Sequence, residues 1–272
     1  MSGEYPIASD TQQRHADVAD RQMIPHHNSV PLIALDLGVM DYRAAWDTQL
    51  QWHKKVLNGS CSNGVLLLVE HPAVITIGRH PGAQEHLLAD SNVLTQRGVA
   101  VESTDRGGDI TFHGPGQLVL YPIIPLNRYN LRIHNYMRLL EQAVIQTLAH
   151  WDLLGLRDTG ATGVWVNSAH GGPEALAKIC AIGIKLSRWI SLHGLALNVT
   201  TDLSFFQLIN PCGLSRPVTS IQAELDKPCP GMHMHINISE NGGGYSKPFR
   251  VIFEQRICRV RGFPHHIANL PG

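Results

Sequence analysis

Apolar residues follow a helical period most clearly in two stretches of the chain. After Asp41, the positions Tyr42, Ala45, Trp46, Leu50, Val56 and Leu57 form one stripe, which predicts a helix over 42–57 capped by Asp41 and stopped by Asn58-Gly59. Met137, Leu140, Val144, Ile145 and Leu148 form a second stripe and predict a longer helix over 133–151. Short apolar runs predict strands at 31–37, 65–70, 74–77, 99–103, 118–125, 164–166, 178–185 and 189–199. The polar stretch 167–174 reads as a turn or hairpin tip. A short helix is expected after Thr219, a linker at 241–244, and a last helix from Pro248 to about residue 260, with proline at an early helical position. Strands and helices mix without strict alternation and without an internal repeat. The expected fold is therefore α+β, with a mixed, largely antiparallel sheet flanked by helices rather than a doubly wound one.

Composition narrows the function classes. The chain has 22 basic and 22 acidic side chains among 272 residues, and no Lys/Arg run. A nucleic-acid or membrane surface is therefore not expected. The N-terminal segment lacks an apolar core and carries Glu4, Asp10, Asp17 and Asp20, so neither a secretory signal nor a mitochondrial presequence is expected, and the default location is the cytoplasm. Residues 1–28 are polar and aperiodic, and disorder is expected there. The five cysteines form no CxxC, which argues against a disulfide framework or a structural zinc site. Of the sixteen histidines, the clusters His26-His27, His233-Met234-His235 and His265-His266 lack a third spaced ligand and read as surface histidines, so no metal is expected.

Four segments carry candidate chemistry. Arg106-Gly107-Gly108-Asp109-Ile110-Thr111-Phe112-His113-Gly114-Pro115-Gly116-Gln117 is a glycine-rich polar loop running into an apolar strand. Such a loop on a rigid strand is a common place for a site, but alone it is as readily a tight structural turn. It has neither the Gly-Lys-Ser/Thr ending of a nucleotide P-loop nor a GxGxxG opening a helix, so nothing in it demands ATP or NAD. Cys212, between Pro211 and Gly213, could present a thiol at a loop end, provided a cation or base lies nearby. An isolated cysteine can equally be a small buried hydrophobe. Lys178 opens the apolar strand Lys178-Ile179-Cys180-Ala181-Ile182-Gly183, whose small residues leave space beside it. His193-Gly194-Leu195-Ala196-Leu197-Asn198 joins another His-Gly pair to a strand.

Taken together and in this order, the four segments resemble the lipoyl(octanoyl) transferases: RGGxxTFHGPGQ, then KIxAIG, then HGxALN, then NPCG. The resemblance spans residues 31–225 and places a catalytic domain at 29–227, with 228–272 as a C-terminal extension containing the expected last helix. It implies the fold of biotin and lipoate protein ligases, and transfer of octanoyl from acyl carrier protein to a lysine of lipoyl domains. The implied acceptors are the acyltransferase subunits of 2-oxoacid dehydrogenases and the glycine-cleavage H protein. No cofactor is implied, and the chain is expected to act as a monomer. Cys212 matches the acyl-thioester cysteine and Lys178 the lysine that activates it. Substrate contacts fall on Arg106, Gly107, Gly108, Asp109, Ile110, Thr111, Phe112 and His113, on Ala181, Ile182 and Gly183, and on Gly194, Leu195 and Ala196. Three other readings stay open at this level. They are an ATP-dependent ligase of the same fold, a non-catalytic module binding acyl chains or lipoyl domains, and a thiol hydrolase releasing octanoate.

Overall fold

The computed structural model describes residues 32–168, 176–211 and 216–225, and the backbone of 234–238 and 251–255. Its main sheet has six strands in the order β1 (Ile33–Val39), β2 (Val65–Glu70), β6 (Gln117–Ile123), β9 (Ile190–Asn198), β8 (Leu176–Ser187), β7 (Val164–Asn167). β1 and β2 run parallel, joined by helix α1 (Tyr42–Leu57), and the other neighbours are antiparallel.

Two apolar clusters explain why β2 reads as a continuous apolar run. Leu66 and Leu68 point to one face, where they meet Tyr136, Leu140, Val144 and Leu148 of α3 (Ile133–Ala149). Val65, Leu67 and Val69 point to the other face and meet Ala45 and Val56 of α1. Strand side chains alternate between faces, so a sheet covered on both sides is apolar at every position.

A second, three-stranded sheet stands beside the first, in the order β4 (Ala100–Ser103), β3 (Val74–Ile77), β5 (Ile110–His113). β3 pairs parallel with β4 and antiparallel with β5. Its core joins Ile75, Ile77, Ile110 and Phe112 to Leu94 of α2 (Ser91–Gln96) and to Leu208 and Ile209. α4 (Ile221–Glu224) is capped by the Ser220 hydroxyl, which accepts from Ala223 N.

The expected fold class is found, and β2, β3, α1 and α3 lie within two residues of their expected bounds. Three details differ. Asp41 precedes α1, but its side chain makes no capping bond. The middle of the glycine-rich segment, Ile110–His113, is a strand, β5, because it finds a partner edge in β3. In the expected last helix, Val251–Gln255 is instead a strand, β11, paired antiparallel with β10 (Met234–Ile238). Val251, Ile252 and Phe253 are β-branched or aromatic, and an available partner strand outweighed the proline signal. The expected disordered segment 1–28, the tip at 169–174 and the linker at 241–244 lie outside the described residues. Among the described residues no helix is long and apolar enough to cross a membrane.

Candidate functional site

The glycine loop connects β4 to β5 and is tied down by backbone bonds on two sides. Arg79 N donates to Arg106 O (3.1 Å) and His80 N to Gly108 O (3.1 Å). On the other side Gly107 N donates to Ile184 O of β8 (2.9 Å), so the loop docks the small sheet onto the large one. A cavity of about 560 Å³ opens along this junction, within the ~300–1,000 Å³ usual for small-molecule sites. Its wall includes Lys178, Ala181, Ile182, Gly183, Gly194, Leu195 and Ala196, and Arg106, Gly107, Gly108, Asp109, Ile110, Thr111 and His113. All the sequence-derived contact residues therefore meet at one cavity except Phe112. Its ring turns into the small-sheet core and stacks on Phe205 with centroids 4.7 Å apart. Asp109 lines the cavity, but its carboxylate braces the loop: Oδ1 accepts from Ile110 N (2.7 Å) and lies 2.8 Å from His86 Nδ1.

The small residues at the wall have a reason beyond leaving space. A Cβ on Gly183 would come 2.7 Å from Gly107 O, and one on Gly194 would come 2.0 Å from Leu120 O. Both glycines let backbone approach backbone, one seating the glycine loop and the other seating β6 against β9.

Lys178 owes its position to a β-bulge. Val164 pairs with Cys180 but Trp165 pairs with Lys178, so Ile179 is the extra residue. Ile179 and Cys180 both enter the main core, while neighbouring Lys178 reaches the cavity wall. Bulges commonly re-aim side chains in this way beside active sites. The Lys178 ammonium lies 4.7 Å from the centroid of the buried Trp165 ring. Cys212 lies outside the described residues, and so does its distance to Lys178. Its neighbour Pro211 lines the cavity. The two described cysteines are poor candidates for a nucleophile. Burial pushes the Cys180 thiol far up from its ordinary value, and Cys61 packs with the α1-side cluster, away from the cavity.

Around the glycine loop the wall is polar and internally bonded. His113 stacks on Tyr42 (centroids 5.9 Å apart) and lies 2.7 Å from Gln117 Oε1 through Nδ1. Burial, then the neighbouring His71 and Arg106, hold it well below the usual imidazole value, so it is neutral. His71 is fully buried between Met40 O and the Tyr121 hydroxyl, at 2.7 and 2.8 Å. His193 sits in the left-handed region (φ 58°) within β9, a conformation costing ~1–3 kcal/mol that needs support from its surroundings. The support comes from Gln49 Oε1, which accepts from its backbone N (2.8 Å), and from Asp105, 2.7 Å from its Nε2. Asp105 also accepts from Lys185 Nζ (2.5 Å). Burial alone would raise the Asp105 carboxyl, but these two hydrogen bonds outweigh it and hold the group below the usual range.

Sequence reasoning overlooked Tyr42, Thr76, His71 and Asp105. Tyr42 reads as one position of a helix stripe, His71 as a breaker between strands. The available signal was a polar residue inside an apolar run: Thr76 within Val74–Ile77 is fully buried. Among the described residues no group of three His, Cys, Asp or Glu could hold a metal ion. The glycine loop leads into a strand rather than a helix, so it lacks the helix N-terminus that cradles phosphate in nucleotide sites.

Known proteins resemble this chain in sequence and in fold. The lipoyl protein ligase A/B catalytic domain matches residues 41–235. The octanoyltransferase of Solibacter usitatus is 44% identical over 218 residues, covering 80% of this chain and 91% of that protein. The octanoyltransferase of Chloroflexus aggregans is 47% identical over 201 residues, covering 73% and 87%. Among solved structures, a putative lipoate protein ligase from T. acidophilum with bound lipoic acid superposes with a TM-score of 0.54 at 17% identity, covering 73% of this chain and 80% of that one. Lipoate-protein ligase A bound with ATP gives 0.52 at 16% identity, covering 72% and 78%. The structures establish the shared fold; the domain match and the relatives establish more, namely that this chain belongs to the lipoyl protein ligase A/B catalytic domain family.

Proposed function

We propose that the protein transfers an octanoyl group from octanoyl-acyl carrier protein to a lysine of lipoyl domains, through a thioester on Cys212, with Lys178 handling the protons. The observation that carries this reading is the convergence of Lys178, the glycine loop and Pro211 on one cavity, in a chain whose relatives are octanoyltransferases. The Cys212 thiolate attacks the carbonyl carbon of the donor thioester, and the bond to the carrier's thiol breaks. The acceptor lysine amine then attacks the acyl-enzyme, the bond to Cys212 breaks, and an amide forms. Two thioester bonds are of similar energy and the amide is more stable, so no nucleotide is consumed. Splitting the transfer in this way is covalent catalysis. Charged, Lys178 favours the thiolate; neutral, it takes the proton of the incoming amine. Ile182, Ile184, Leu195 and Met137 supply apolar wall for the acyl chain. The acceptors are lipoyl domains of 2-oxoacid dehydrogenase acyltransferase subunits and the glycine-cleavage H protein, and the enzyme works in the cytoplasm as a monomer without a cofactor.

The test is to mix the protein with octanoyl-acyl carrier protein and an apo lipoyl domain without nucleotide, and to read the mass of the domain. Gain of one octanoyl group is expected. Modification that requires ATP and free octanoate would make the protein a ligase instead. Release of free octanoate with an unmodified domain would make it a hydrolase.

A further inference from the structure

Thr76 lies on β3 behind the cavity, in none of the four sequence motifs, and is fully buried. It joins two residues that do line the cavity. Its hydroxyl accepts from Arg106 Nε (3.3 Å) and Nη2 (3.0 Å), its carbonyl accepts from Nη2 (2.7 Å), and its Oγ1 lies 3.3 Å from His113 Nε2.

The polarity of this network is fixed at both ends by groups that cannot reverse. Arg106 only donates. At the other end, the carbonyl of Phe112 only accepts, so the Gln117 amide nitrogen must face it (3.1 Å). Gln117 Oε1 then faces His113, 2.7 Å from Nδ1. The ring proton must therefore sit on Nδ1, which leaves Nε2 with a lone pair. Thr76 has one hydroxyl proton and two lone pairs. Both lone pairs are taken by Arg106, and the proton goes to His113 Nε2. The same direction continues from Gln117 Nε2 to Asn198 Oδ1 (2.8 Å) and from Asn198 Nδ2 to Thr219 O (2.9 Å). Thr219 N in turn donates to Lys178 O (2.9 Å). The chain thus runs from the glycine-loop guanidinium to the backbone that carries Lys178.

We propose that Thr76 is a positioning residue for acyl transfer, acting through Arg106 and His113. It fixes the guanidinium in place and holds His113 as the Nδ1–H tautomer on the cavity wall. The part concerning transfer rests on the function proposed above; the tautomer does not. Only a hydroxyl serves here. Valine has the same shape but removes the hydroxyl acceptor of Arg106 Nε, leaves the guanidinium to the backbone carbonyls of Thr76 and Gly107, and leaves His113 Nε2 without its donor.

The test compares Thr76→Val with Thr76→Ser. Misplacing the cavity groups should lower kcat for octanoyl transfer by about 10²-fold in the valine variant, at a temperature where it is fully folded, and serine should restore most of it. A purely structural role would lower the melting temperature of Thr76→Val and leave kcat below it unchanged, which would overturn the proposal. If the valine variant does not fold, Thr76→Ala is read in its place with the same two outcomes. Independently, 15N NMR of the ligand-free wild type should show the His113 proton on Nδ1 alone; a proton on Nε2 would overturn the assignment. Because that spectrum needs no substrate, it reads the polarity of the network that gives Thr76 its donor role, whereas a wild type that transfers no octanoyl group counts against the proposed function.

Discussion

The two walls of the cavity are built on opposite principles. On the small-sheet side, Arg106 and His113 line the cavity as members of one hydrogen-bonded network, which crosses to Gln117 at the start of β6 and in which each polar atom is satisfied by the next. On the large-sheet side, Ile182, Ile184 and Leu195 line it as extensions of the main core. Hydrogen bonds are directional, so a change on the first wall propagates to every partner. Dispersion and burial are not directional, so a change on the second stays local and scales with volume. Under the proposed function, the polar wall holds orientation and the apolar wall measures the length of the acyl chain.

Gln117→Leu should break this comparison most severely. It strips partners from His113 Nδ1, Phe112 O and Asn198 Oδ1 at once. Each buried unsatisfied group costs ~1–3 kcal/mol, so denaturant unfolding should show a loss of several kcal/mol. Lys178 comes next, and its effect falls on rate rather than stability. Lys178→Ala should cut turnover by about 10²-fold, the scale of a lost proton-transfer group, and Lys178→Arg should fail as well because it stays charged. Steady-state kinetics against a lipoyl domain decide this; wild-type turnover in either variant would remove Lys178 from the mechanism.

The pH dependence of stability sharpens the contrast from the polar side. Burial holds His71, His113 and His193 below the ordinary value of 6.5. Below pH 6.5 the unfolded chain takes up protons that the native state refuses. Stability is therefore highest above that pH and falls as pH drops, by up to ~1.4 kcal/mol per pH unit for each histidine. Urea unfolding between pH 7.5 and 5 should show this slope, and substitutions on the apolar wall should not change it. A flat profile would mean that these imidazoles are not held neutral. The smallest effect belongs to the apolar wall: Ile184→Val should shift acyl preference toward longer chains by ~1 kcal/mol or less. Gly183 is the position where the walls meet. Gly183→Ala should slow every chain length alike, because its Cβ meets Gly107 O and moves the loop. If it discriminated by chain length, Gly183 would belong to the length-measuring wall.

The sequence showed most of the fold because its elements follow simple periods. β2 and β3 are apolar runs between clear breakers, and α1 and α3 carry single stripes. Two features resisted. β11 depends on a partner strand that no local window contains. β5 hides in a segment whose glycines and prolines read as loop, and only its pairing with β3 reveals a strand. In the site, the four motifs brought out the wall residues that strands and the glycine loop mark with glycine or a polar residue, but not Tyr42, His80, Met137, Gly160, Ala161 or Thr162, which come from other elements. The residues behind that wall stayed hidden. Thr76 bonds to Arg106 thirty residues away and to His113 thirty-seven away, and its one local mark, a polar residue inside the apolar run Val74–Ile77, names neither partner. The bulge that separates Lys178 from the core was equally invisible, since it exists only in the register of β8 against β7.

The central claim is that Cys212 carries the acyl group. Intact-mass analysis after mixing the protein with octanoyl-acyl carrier protein alone, without acceptor, addresses it directly. One added octanoyl group is expected, removed by hydroxylamine and absent from Cys212→Ser. An octanoyl group that persists in Cys212→Ser, or a Cys212→Ala variant that still modifies lipoyl domains at the wild-type rate, would contradict it.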